Sequence, residues 1–148
     1  MKEHIIRTPR PAEIETLIRI WLNGNTRAHS FIHPDYWLRH INYMRQALPH
    51  AKVYVCEVNG EIAGFAGIDG NHIAGLFVDE NYQSQGIGTS LIEFIKQHHF
   101  TLTLAVYKKN EKALQFYRKH GFVVTGGRID TKTDEAELLM RWNRACPI

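Results

Sequence analysis

The sequence predicts a mixed α/β domain, a mostly antiparallel sheet interrupted by one parallel strand pair, and three observations carry that reading. Asn59-Gly60 separates two β-rich runs, residues 53–58 and 61–68, and Asn-Gly favours the two-residue turn that matches strand twist. The heptapeptide Gln83-Ser84-Gln85-Gly86-Ile87-Gly88-Thr89 lies between a strand-like run, residues 73–78, and a helix-like run, residues 91–97. That helix leads into Thr101-Leu102-Thr103-Leu104-Ala105-Val106, a further strand, and a helical crossover makes the strands on either side of it parallel. At 148 residues the chain is expected to form one domain, residues 1–148, large enough to bury a single core.

The elements follow in order. Ile5-Ile6-Arg7 reads as a short first strand, and Pro9 and Pro11 set the start of a helix, since proline is tolerated in a first turn. Ile14, Leu17, Ile18, Trp21 and Leu22 recur at helical spacing, and Gly24 is expected to end the helix. His33-Pro34-Asp35 opens a second helix with Trp37, Ile41 and Met44 on one side, before Pro49 stops it. After the Asn-Gly hairpin, Asp69-Gly70-Asn71 is a second turn, so residues 73–78 return antiparallel as a fourth strand. Residues 89–98 and 111–120 read as helices, and strands near residues 122–129 and 137–142 close the sheet.

Composition sets the outer limits. With 44% hydrophobic and 22% charged residues this is an ordinary globular composition. No apolar run is long enough to span a bilayer and Met1-Lys2-Glu3-His4 lacks the apolar stretch of a signal peptide, so no membrane association and a cytoplasmic location are expected. Cys56 falls in a strand and is expected in the core, Cys146 is near a terminus, and the two make no disulfide framework. A net charge of +3, from 18 basic and 15 acidic side chains without a basic run, argues against nucleic acid as a partner. Of the nine histidines, His29 and His33 share a helical spacing and His98-His99 are adjacent, but no cysteine or carboxylate cluster completes a ligand set, so no metal is expected.

The glycine turn is the most informative stretch. Glycines 86 and 88 let the backbone turn sharply and approach a ligand, and the N–H groups opening the next helix have no partners within it. Such a turn attracts a diphosphate, although an ordinary loop would also explain two glycines. A Walker A loop needs Lys where Thr89 stands, and the dinucleotide fingerprint needs a third glycine and a downstream acid that this chain lacks.

Taken with the strand at residues 101–106, Asn110, Ala113, Phe116-Tyr117 and Gly121-Phe122, the Gln83-x-x-Gly86-x-Gly88 turn resembles the GNAT superfamily of acetyl-CoA-dependent N-acetyltransferases. The family pattern is Arg or Gln-x-x-Gly-x-Gly or Ala, then Asn, then Phe-Tyr, then Gly-Phe. These motifs span about residues 73–122, and their order is far more specific than the glycines alone. The chain looks most like small bacterial single-domain members with an Ile-Arg first strand and a His-x-Phe-Ile segment, here Ile6-Arg7 and His29-Ser30-Phe31-Ile32.

The resemblance implies a central twisted sheet with helices on both faces, whose parallel fourth and fifth strands splay around the cofactor. It implies that the backbone of Leu76, Phe77 and Val78 pairs with the pantetheine amides of acetyl-CoA, and that the turn from Gln83 through Ser84, Gln85, Gly86, Ile87 and Gly88 to Thr89 cradles the diphosphate. Gln83 stands where Arg is frequent, so one positive charge near the phosphates is missing. Asn110 and Phe116 are further cofactor contacts by the same resemblance; a helix cap and core packing are their alternative accounts.

Tyr117 is the expected general acid: direct attack by an amine expels a thiolate that needs a proton, and a phenol with a reference pKa of about 10 holds one at neutral pH. A core tyrosine is its plain alternative. Many protein-acetylating relatives carry Glu where this chain has Ala105, within Leu104-Ala105-Val106, so either a water chain or another residue must serve as the base. His72 ranks first because an imidazole titrates near working pH, with Asp69 beside it, and Glu57 and His29 as remoter choices. By the same resemblance His29, Phe31 and Tyr36 are expected at the acceptor site, with Tyr36, Trp37 and Tyr43 as an aromatic wall; plain helix packing is the alternative account of these rings. The expected partner is a primary amine, on a small molecule or on a protein lysine or N-terminus. A homodimer through the sheet edge or the final strands is compatible with the family. The rival reading is a non-catalytic acyl-CoA-binding sensor, for which Tyr117 would have no use as an acid. A toxin acetylating aminoacyl-tRNA would need a basic surface that the composition lacks.

Overall fold

The computed structural model describes residues 3–145; Cys146 lies outside them. Its elements are β1 (Ile5–Arg7), α1 (Ile14–Ala28), α2 (Pro34–Leu38), α3 (Ile41–Ala47), β2 (Lys52–Val58), β3 (Glu61–Asp69), β4 (His72–Val78), α4 (Ile87–Gln97), β5 (Thr101–Tyr107), α5 (Glu111–Lys119), β6 (Val123–Asp130) and β7 (Glu135–Asn143). Short 3-10 turns precede α1, follow α3 and link β4 to α4. The strands form one seven-stranded sheet in the order β1-β2-β3-β4-β5-β7-β6, antiparallel except for β4 and β5. Asn59 and Gly60 take positive φ in the β2–β3 turn, as Asn-Gly predicts.

The two sheet faces carry separate cores. Leu17, Ile20, Trp21, Trp37, Val55 and Phe65 pack α1 and α2 against one face. Ile92, Ile95, Leu102, Leu104, Tyr117 and Phe122 pack α4 and α5 against the other. Cys56 is fully buried, where desolvation pushes its thiol up to about 11 and keeps it unreactive.

Two expectations for the helices need correction. Gly24 does not end α1, which continues to Ala28. A glycine inside a helix costs about 1 kcal/mol against alanine, and here it makes room: a Cβ at Gly24 would lie 3.2 Å from Cδ1 of Phe77. The turn that contains Gly24 is held by the buried Asn25, whose Nδ2 donates to the Trp21 carbonyl at 3.0 Å. The second helix is two short ones. At their junction the His40 N–H bonds the Trp37 carbonyl, three residues back, and this tightened turn re-aims the chain. As a result Trp37 is buried in the core while Tyr43 is 67% exposed and does not join the aromatic wall.

Candidate active site

Seven strands in one sheet would ordinarily bury the middle one, yet β4 is half-buried from Gly75 to Val78 and exposed at Ala74. The cause is its neighbour. β4 and β5 share only the pairing His72↔Thr103 at their amino ends, closed by the Thr103 N–H on the Asn71 carbonyl at 2.9 Å. Beyond that point the strands diverge, and among the described residues no strand pairs with the β5-facing backbone edge of β4. A register shift against β3 between Gly67 and Ile68 leaves Ala74 as the extra residue of a bulge. The splay is thus present, and it opens toward the carboxyl ends, where ligands bind in open sheets.

The glycine turn sits at that open end. Residues 83–86 are exposed, Ser84 and Gly86 take positive φ (62° and 80°), and Gly86 is the left-handed N-cap of α4. Among the described residues no side chain caps α4, which leaves its first amides able to bind an anion. The two glycines therefore differ. Gly86 makes the turn, while Gly88 is helical and buried: a Cβ there would lie 3.1 Å from Cζ of Phe116 and 3.6 Å from Leu76. Gln83 Nε2 donates to the Val78 carbonyl at 2.9 Å, tying the turn to the end of β4. Asp79, buried beside it, accepts from the Asn81 N–H at 2.9 Å and from Arg19 of α1 at 3.1 Å.

Tyr117 is buried on α5 in the same apolar cluster as Leu76 of β4. Burial raises its phenol well above the usual tyrosine range, with no charged neighbour contributing. Asn110 caps α5, its Oδ1 accepting from the Ala113 N–H at 3.2 Å, and its Nδ2 donates to Nε2 of His29 at 3.1 Å. The cap role and a link to the first helix thus coexist in one amide.

The other face of the cleft is aromatic and acidic. His29 stacks on Trp37 (ring centroids 5.5 Å apart) and meets Phe31 and Tyr107 edge-on. Burial pushes the His29 imidazole down to about 4, so it is neutral at pH 7. Tyr36 packs on Trp37 and His40, and its phenol is raised by burial first and then by the carboxylates of Asp130 and Glu137. Tyr107 donates to Asp130 Oδ2 at 2.7 Å. Strand alternation and the register Ala105↔Leu139, Tyr107↔Glu137 put Ala105, Tyr107 and Glu137 on this face. Sequence reasoning did not single out Tyr107, Asp130 or Glu137. The period of two along residues 101–107 was the available signal for Tyr107; the two acids required the β5–β7–β6 register.

The remaining candidates are dispersed. His72 closes the narrow end of the cleft, with Nδ1 2.9 Å from Thr103 Oγ1, and Asp69 pairs with it across the β3–β4 turn. Both lie at the opposite end of β4 from the glycine turn, about 20 Å away at the rise of a strand. Glu57 is engaged by Arg7, which also grips Glu13, at the β1 edge of the sheet. Among the described residues no three metal-ligating side chains come together, and no helix is long and apolar enough to cross a membrane.

Comparison with known proteins agrees with this geometry. The model of the acetyltransferase (GNAT) domain matches residues 49–124. The chain is 33% identical over 140 residues to the peptidyl-lysine N-acetyltransferase YiaC of Escherichia coli K12, covering 93% of this chain and 96% of that one. It is 34% identical over 122 residues to the peptidyl-lysine N-acetyltransferase YjaB of the same strain, 82% and 83% of the two chains. The solution structure of apo YjaB from Escherichia coli superposes with a TM-score of 0.86 at 30% identity, covering 97% of this chain and 99% of that one. The PaiA N-acetyltransferase of Thermoplasma acidophilum, crystallised with coenzyme A, shares the fold at TM-score 0.73 and 20% identity over 96% and 99% of the chains. A splayed parallel pair, an uncapped helix behind a glycine turn, and these relatives over nearly the whole chain make this protein a member of the GNAT acetyltransferase family.

Proposed function

We propose that this protein transfers the acetyl group of acetyl-CoA directly to a primary amine, and that its acceptor is a lysine side chain on a protein. The observation that carries the transfer is the half-open central strand. The β5-facing edge of β4 from Gly75 to Val78 is not paired with a described strand and can meet an amide-bearing chain, with Gln83 on the Val78 carbonyl, and the glycine turn stands at its open end. When bound, acetyl-CoA supplies an acyl group activated as a thioester. The protein's own residues do the rest. Leu76, Phe77 and Val78 hold the pantetheine through their backbone, and the amides from Gln85 to Thr89, with the α4 dipole, hold the diphosphate. Phe116 and Asn110 line the route between the two.

Tyr117 holds its phenolic proton in apolar surroundings at every physiological pH and gives it to the departing thiolate. The amine comes from the face of His29, Phe31 and Tyr36, where carboxylates at Asp130 and Glu137 favour a cation and aromatic rings accept the lysine methylenes. His72, with Asp69 at the strand end, is the side chain assigned to take the ammonium proton, and rate profiles of His72→Ala and Asp69→Ala on the acid side separate the two. The names of YiaC and YjaB support lysine over a small-molecule amine.

Thiol release from acetyl-CoA in the presence of lysine peptides, Nα-blocked and Nε-blocked in parallel, tests the reading. Acetylation should need a free Nε amine, and Tyr117→Phe should lower turnover about a hundredfold while leaving acetyl-CoA affinity nearly intact. Cofactor binding without acceptor-dependent thiol release would favour a sensor instead.

A further inference from the structure

Beside the first turn of α4 stands a side chain that the transfer chemistry does not use. His120, just after α5, turns back onto α4. Its Nε2 lies 3.2 Å from Thr89 Oγ1 and its Nδ1 3.4 Å from Glu93 Oε1. The Phe116 ring packs on the imidazole at 4.6 Å between centroids, and 9% of the His120 side chain is exposed. Thr89 itself is exposed at the helix start. No residue from Gln83 to Thr89 carries a charge, and Gln83 is committed to the Val78 carbonyl. A diphosphate brings two negative charges to this spot, more than the half charge of a helix terminus balances.

We propose that His120 is a positioning residue of the cofactor site, which orients the Thr89 hydroxyl toward the diphosphate and takes up a proton when that anion binds. The proposal rests on the acetyl-CoA reading above. A hydroxyl has one hydrogen to give and lone pairs to accept with. When His120 Nε2–H donates to Thr89 Oγ1, the hydroxyl hydrogen is left to donate to a phosphate oxygen. When Nδ1 is protonated as well, Glu93 accepts from it, and the imidazolium lies between a carboxylate and the bound anion.

The charged groups facing His120 are Glu93 and Lys96 of α4 and Lys119 of α5. In the free protein burial, then Lys96 and Lys119, outweigh Glu93 and hold the imidazole below its ordinary value, so it is neutral at pH 7. An anion arriving at Thr89 reverses that balance. Proton uptake on binding means that affinity rises as pH falls, about tenfold for each unit by which binding raises the imidazole pKa.

Calorimetry with dephospho-CoA tests this, because that ligand keeps the diphosphate and lacks the phosphate monoester, which itself titrates near pH 6. Titration near neutral pH in two buffers of different ionisation enthalpy should show proton uptake by the wild type, and affinity should rise from about pH 8.5 to about pH 6 by roughly tenfold. His120→Gln, whose amide can still donate to Thr89, should abolish the uptake and flatten the profile. Thr89→Val leaves the imidazole in place and should weaken the coupling too, which keeps the test open if His120→Gln does not fold. Equal uptake by wild type and His120→Gln, or wild-type binding without uptake, overturns the proposal. Uptake with CoA but not with dephospho-CoA overturns the diphosphate assignment. Failure of the wild type to bind either ligand defeats the acetyl-CoA reading instead.

Discussion

At the scale of single residues, the buried titratable groups have opposite tasks. Tyr117 is held protonated by burial, so the alkaline limb of the rate profile below about pH 10 belongs to some other group. His29 is held neutral by burial, and its Nε2 accepts from Asn110 only while unprotonated. Its folded pKa of about 4 is below the ordinary histidine value, so the unfolded chain binds the proton more readily. The stability this represents is full above about pH 6.5 and falls as pH drops through 4, by at most about 3 to 4 kcal/mol before screening by solvent reduces it. Urea unfolding at several pH values should therefore show a steeper acid loss for the wild type than for His29→Gln, which can accept from Asn110 without titrating. Equal acid sensitivity of the two would place the loss elsewhere. His29 was visible in the sequence only as part of a His-x-Phe-Ile segment; its burial depends on rings from α2 and β5.

At the scale of elements, glycines determine how closely α4 approaches the sheet. Gly64 of β3 lies under the start of that helix: a Cβ there would be 2.6 Å from the Phe77 carbonyl oxygen and 2.9 Å from Ile87. Gly67, three residues further along β3, has nothing among the described residues within 4 Å of such an atom. Gly64→Ala should thus destabilise by about 1 to 3 kcal/mol and weaken CoA binding, because the α4 N-terminus must move outward. Gly67→Ala should leave the urea midpoint within error, and identical midpoints for the two variants would contradict the packing. Gly86 was legible locally, since a left-handed residue before a helix leaves a compositional mark. The role of Gly24 was not: whether a helix runs through a glycine depends on Phe77, more than fifty residues away along the chain. The break between α2 and α3 was equally hidden, because a tightened turn at His40 has no strong residue signature.

At the scale of the molecule, the splay leaves the sheet open at its middle. Half-buried Leu76, Phe77 and Val78 and a strand edge without a partner occupy the middle of the sheet. Binding confined to the folded state adds about 2.7 kcal/mol at a hundredfold excess over Kd. For a domain of this size that is about 5 to 10 °C in Tm. A thermal scan with CoA should show a shift of that order, with pantetheine alone giving a smaller one. No shift with CoA would mean that the cleft is closed to it. The ion pair of Arg19 with buried Asp79 joins α1 to the loop that carries the turn, so the two faces of the cleft are held to one frame.

By itself the sequence determined the order of elements, the Asn-Gly hairpin, the glycine turn ahead of a helix and the placing of Asn110 and Tyr117 after the crossover. All of these are set within a few residues of chain, by φ preference, capping and periodicity. Only the tertiary structure decided that β4 and β5 part after one pairing, that His29 is a buried neutral partner of Asn110, and that Asp130 and Glu137 face Tyr36 and Tyr107. Each of those depends on register between strands or on contact between helices far apart in sequence, and such pairings leave no mark on the residues that make them.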